Sequence, residues 1–95
     1  MSENGGGLTR PRRAASIQVV DRTGSAKLVD ASGSPVLGLN HTALAIWDLC
    51  DGSTTIEEMV DAVVSAFLVD ADQATADVAA IVAEFDQMML LDHSS

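Results

Sequence analysis

Basic residues are missing from most of this chain: after Lys27 there are twelve Asp or Glu and not one Lys or Arg. The first 27 residues hold all five bases (Arg10, Arg12, Arg13, Arg22 and Lys27) against Glu3 and Asp21, a charge of +3; the remainder carries −12, giving the net −9. Such a field repels polyanions and attracts basic segments over a Debye length of roughly 8 Å at physiological salt. Nucleic acid is therefore a poor partner, because affinity for it comes from Lys and Arg against phosphates. Cysteine is nearly absent too. Cys50 stands alone, so no internal disulfide can form, which suits a reducing cytoplasm. No run of about 18 uncharged apolar residues exists, which argues against a membrane span. Met1–Leu8 lacks the apolar segment of a secretory signal, which argues against export. The aromatics are Trp47, Phe67 and Phe85, and they fall at helical core spacing, not as a base-stacking platform.

What remains reads as one small globular domain. With 95 residues there is room for a single core, and 47% of them are apolar. Residues 1–13, with Gly5-Gly6-Gly7 and Pro11 among arginines, show no apolar period and are expected to form a flexible arm. Three extended segments follow: Ser16–Asp21, Ala26–Asp30 and Pro35–Leu39, separated by the turn signals Thr23-Gly24-Ser25 and Ala31-Ser32-Gly33-Ser34. Hairpin-length connections predict an antiparallel meander. Pro35 has no N–H to donate and belongs at a strand start or an edge, and Gly38 leaves bare backbone that another chain can approach.

After Leu39 the apolar period changes from two to about 3.6. Asn40 is a suitable N-cap for a helix reaching about Cys50, with Leu39, Ala43, Ile46, Trp47 and Cys50 at core spacing. Thr55 and Glu58 form a capping box for a second helix, whose stripe is Ile56, Met59, Val60, Val63 and Phe67. Asp70 and Gln73 repeat the pattern for a third helix ending near Leu91, with Ala74, Val78, Ile81, Val82, Phe85 and Met89 on one face. The fold class is thus α+β, a three-stranded antiparallel meander followed by three helices, over residues 14–92 with a tail at 93–95. A sheet this small needs the helices for support, and its outer strands keep free edges.

No catalytic constellation emerges. His41 and Cys50 are nine positions apart, ~13 Å along a helix, too far for an imidazole–thiol pair. Cys50 reads as a small core residue and His41 as a solvated or capping side chain. The carboxylates fall at caps, turns and outer helix faces. Neither metal-ligand spacing nor a phosphate loop is present, so no metal, no cofactor and no enzymatic activity are expected. An acyl carrier, also small and acidic, would show Asp-Ser-Leu at a helix start; here the order is Asp51-Gly52-Ser53-Thr54 and a strand meander precedes it.

The stretch Leu39–Val63, LNHTALAIWDLCDGSTTIEEMVDAV, resembles the PqqD-like family, the recognition elements for ribosomally made precursor peptides. The elements that carry the resemblance are Leu39-Asn40, Ala43, Ile46-Trp47, Leu49-Cys50, Asp51-Gly52 and Thr55-Ile56-Glu57-Glu58-Met59. It continues through Val69-Asp70, Ala76-Asp77-Val78 and the last helix. The resemblance implies a winged helix-turn-helix that binds peptide instead of DNA, the leader adding as a strand beside the third strand and packing against the third helix. By position, the peptide-binding residues are Pro35, Val36, Leu37, Gly38 and Leu39, with Ala74, Asp77, Val78 and Ile81 as the helical wall. This chain departs from the family's frequent aromatics in the third strand, having Ser34-Pro35-Val36-Leu37, which points to a more aliphatic pocket. The implied partners are a precursor leader and separate modifying enzymes (a protease, a cyclase or a radical enzyme), with the lasso-peptide pathway preferred over quinone-cofactor and radical-enzyme pathways. A DNA-binding winged-helix regulator is the alternative.

Overall fold

The turns build the sheet from local hydrogen bonds. In the computed structural model, which describes residues 10–92, Asp30 Oδ1 accepts from the N–H of Ser32 (2.9 Å) and of Ser34 (3.0 Å). This folds β2 (Lys27–Val29) back into β3 (Pro35–Gly38). β1 (Gln18–Val20) precedes them, and the antiparallel order is β1-β2-β3. The pairs are Gln18↔Val29, Val19↔Leu28 and Val20↔Lys27, then Lys27↔Gly38, Leu28↔Leu37 and Val29↔Pro35, with a bulge at Leu28/Val29. The strands are shorter than their β-branched segments predicted, because pairing stops where the turns begin.

The helices start at their caps. Asn40 accepts from Ala43 N–H (2.7 Å) to open α1 (His41–Leu49). Thr55 and Glu58 exchange both capping-box bonds (2.8 and 3.1 Å) to open α2 (Ile56–Phe67). Asp70 accepts from Gln73 N–H (2.7 Å) to open α3 (Ala71–Gln87). Each bond satisfies a first-turn N–H that has no partner inside the helix.

α3 ends short of the expected Leu91. Met89 N–H donates to Asp86 O and Leu90 N–H to Phe85 O, with Met89 at φ 63, a Schellman ending that carries Met where glycine is usual. Met89 therefore points outward, 84% exposed, and is not on the core face as its spacing predicted; Leu90 and Leu91 fold back and are buried instead.

The core joins the inner face of the sheet (Ala26, Leu28, Leu39) to Ile46, Trp47, Cys50, Met59, Val63, Ala74, Val78, Val82 and Phe85. Trp47 and Phe85 meet edge to face, their ring centroids 5.2 Å apart. The arm expected through residue 13 is corrected at its described end. Pro11 is fully buried, and Pro11–Ala14 is laced between the α1–α2 turn and the C-terminal segment. The lacing bonds are Gly52 N–H to Pro11 O, Arg13 N–H to Cys50 O, Ala14 N–H to Leu90 O and Asp92 N–H to Arg12 O. Arg13 also donates to the carbonyls of Trp47 (3.0 Å) and Asp48 (2.8 Å), placing a cation on the negative end of α1. Gly52, at φ 83, leaves room for the Arg12 side chain; a Cβ there would lie 2.7 Å from Arg12 Nε. Residues 1–9 of the arm and the 93–95 tail lie outside the described residues.

Candidate peptide-binding edge

β3 is an outer strand, and among the described residues no strand pairs with its far side. Leu39 N–H donates to Ala26 O (2.8 Å). In an antiparallel ladder, successive residues turn their backbone groups alternately toward and away from the neighbour. Leu37, opposite Leu28, therefore faces β2, whereas Gly38 presents N–H and C=O to the open side; at Val36, the extra residue of the bulge, the alternation is broken. Pro35, opposite Val29 beside the bulge, has no N–H to offer, so the strand lacks a donor at that position. At Gly38 a Cβ would meet nothing within 4 Å, so the backbone there is open.

Of the residues expected to line the site, Pro35 and Gly38 are exposed, and Val36, Leu37, Asp77 and Ile81 are partly exposed. Val36, Leu37 and Ile81 pack against the same core. Leu39, Ala74 and Val78 are not open to a guest: they are buried in that core, because the sheet face and the helix stripe that hold them close on each other. They support the wall from behind. Asp77 accepts from Gln73 Nε2 (2.9 Å) one helical turn earlier, which fixes its carboxylate on the outer side of α3.

A feature with no sequence signal lies beside Gly38. A cleft of about 930 Å³ is lined by the β1–β2 turn, Lys27, Gly38, the start of α1 and Phe67. Two of its lining residues, Lys27 and Gly38, are brought together by the strand register. Lys27 also reaches Asp21 at 3.5 Å.

His41 opens α1, exposed, and Cys50 caps its other end, buried. Burial pushes the Cys50 thiol up to about 12, only partly offset by the nearby Arg13 charge. Asp30 and Asp51 are held below the usual carboxylate range: Asp30 by the Ser32 hydroxyl and then the turn N–H groups, Asp51 first by Ser53 N–H. Both are turn-formers. Among the described residues no three His, Cys, Asp or Glu side chains are grouped to hold a metal ion. Nor is any helix there long and apolar enough to cross a membrane.

An open three-stranded meander followed by three helices, with β1 and β3 as its outer strands, is a winged helix-turn-helix arrangement. The family model described as "Coenzyme PQQ synthesis protein D (PqqD)" matches residues 26–91, and the chain belongs to that family. β1 and the Pro11–Ala14 segment precede the matched region. No curated protein matches. Among solved structures, the fold is similar to "TbiB1 in Complex with the TbiA(beta) Leader Peptide", with a TM-score of 0.72 and 20% identity over 88% of this chain and 98% of that one.

Proposed function

We propose that this chain is a non-catalytic adaptor that captures the leader of a ribosomally made precursor peptide in the cytoplasm and presents it to separate modifying enzymes. The leader adds as an antiparallel strand on the outer edge of β3. Gly38 offers one donor and one acceptor, and the partly exposed Leu37 and Ile81, with Asp77, provide the side-chain contacts. The observation that carries this reading is the outward-facing backbone of Gly38, on a strand whose far side no other strand pairs with among the described residues. Membership in the PqqD family supports it, as does the likeness to a fold solved with a leader peptide. Preference for the lasso pathway comes from the family resemblance, and the genes beside this one, a precursor with a cyclase or with a radical enzyme, decide it.

Titration calorimetry with the leader of the neighbouring precursor tests the proposal. A short added strand with one or two apolar anchors should bind with a Kd near ~1 μM, about −8 kcal/mol. Absence of binding at ~100 μM ends the proposal.

A further inference from the structure

Strand addition at β3 fixes which end of a guest meets which part of the fold. A guest antiparallel to β3 lies with its N-terminal residues at the Gly38 end and its C-terminal residues at the Pro35 end. Gly38 also lines the cleft of about 930 Å³, together with Gly24, Ser25, Lys27, His41 and Phe67. The open edge and the cleft are thus one continuous surface. Each residue of an extended guest advances it by ~3.4 Å, so the residues just N-terminal to the one beside Gly38 run along the cleft.

The cleft differs from the rest of the molecule in charge. The chain holds fourteen Asp or Glu against five Lys or Arg, and α3 carries no base. Yet no carboxylate lines the cleft, and its one Lys or Arg is Lys27. Of the other bases, Arg13 sits on the carbonyls that end α1, Arg12 lies against Gly52, and Arg22 meets Asp48 at 2.6 Å. Lys27 is held loosely. Its partner Asp21 stands 3.5 Å away, and the two side chains are 45% and 62% exposed. A charge-assisted hydrogen bond is shorter, at about 2.7–2.9 Å. So exposed a pair contributes little and leaves the ammonium's donors open to a second carboxylate. The register sets Lys27 directly across from Gly38, which puts this cation at the end where the guest enters.

We propose that the cleft is a second leader subsite, which takes an Asp or Glu side chain lying within about three residues N-terminal to the paired strand, with Lys27 as its counter-charge. This rests on the leader-binding reading above. The adaptor then reads two features of a precursor: a strand, through the backbone at Gly38, and an acidic residue upstream of it, through Lys27. Backbone pairing is nearly indifferent to sequence, so the charge contributes selectivity and fixes the register of the guest along the edge.

Calorimetry with the leader of the neighbouring precursor tests the subsite, with amide exchange on the bound peptide marking its paired strand. Lys27→Gln should weaken binding about threefold to fivefold, the scale of an exposed ion pair. The difference should vanish with a peptide whose upstream Asp or Glu is changed to Asn or Gln. Asp21→Asn removes the competing carboxylate, and asparagine tolerates the φ of 58 there, so affinity should hold or rise. A purely structural Lys27–Asp21 pair predicts the opposite, an equal loss in both variants. Gly24→Trp obstructs the cleft by bulk. A Cβ at Gly24 meets nothing within 4 Å, so the melting midpoint should stay. Affinity for the full leader should fall in that variant, while affinity for a peptide shortened to its paired strand should not. Three results overturn the subsite: a leader with no Asp or Glu in those upstream positions, a Lys27→Gln variant that binds as the wild type does, or equal losses in the Lys27 and Asp21 variants. In each of these the leader still binds and the adaptor reading stands, whereas absence of binding to the wild type removes both.

Discussion

At the scale of single residues, burial decides what each reactive group does. Cys50 is wholly buried and its thiol is pushed up to about 12, against roughly 8.5 in an unfolded chain. The fold therefore favours the protonated thiol. That contribution is complete below the unfolded value and is lost as pH rises from there through about 12. Native protein at pH 8 should resist iodoacetamide and label only after unfolding, and Cys50→Ala should flatten the alkaline loss of stability. Labelling at the rate of a free thiol would show the side chain to be accessible. Trp47 makes a second residue-scale case. It is 2% exposed and meets Phe85 edge to face, at the centre where α1 and α3 cross. Trp47→Ala should cost ~3–5 kcal/mol, a large part of the stability of so small a domain, and denaturant melts measure it directly.

At the scale of elements, the ladder alternation of β3 sets apart residues that are adjacent in the chain. Leu37 faces β2, so Leu37→Pro breaks the meander and should cost about 1–3 kcal/mol by leaving Leu28 O without its donor. Gly38 faces outward, so Gly38→Pro should leave the melting midpoint near that of the parent and weaken leader binding about tenfold through one lost hydrogen bond. Circular dichroism and calorimetry on both variants separate the effects. If Gly38→Pro unfolds the domain while Leu37→Pro does not, the register is reversed and the edge site is misplaced.

For the molecule as a whole, charge governs the choice of partner. α3, the third helix of the winged-helix triplet, carries Asp72, Asp77, Glu84 and Asp86 and no base. The phosphates of a duplex would meet repulsion there, and no counterion-releasing contacts would offset it. Fluorescence polarisation should detect no sequence-selective DNA binding at physiological salt. Sub-micromolar, sequence-selective affinity would restore the regulator reading.

Much of this was determined within short stretches of sequence. The helix starts follow from Asn40, from Thr55 with Glu58 and from Asp70, because a cap and its recipient N–H lie within three residues of each other. The α1 stripe through Ala43, Ile46, Trp47 and Cys50 is buried as its 3.6-residue period required. The family was legible in Leu39–Val63 because those caps and core positions recur there in fixed order. Other features depended on residues far apart in the chain meeting in the fold. Pro11–Arg13 looked unstructured because its partners, the carbonyls of Trp47, Asp48 and Cys50, are more than thirty positions away. The outward turn of Gly38 came from the pairing with β2, and a shift of one residue would have reversed it. Likewise Ala74 and Val78 share the α3 stripe with Ile81, yet only Ile81 of the three is partly exposed. Helical spacing assigns all three to one apolar face, but how far each is covered was set by how closely the sheet and α2 pack against it.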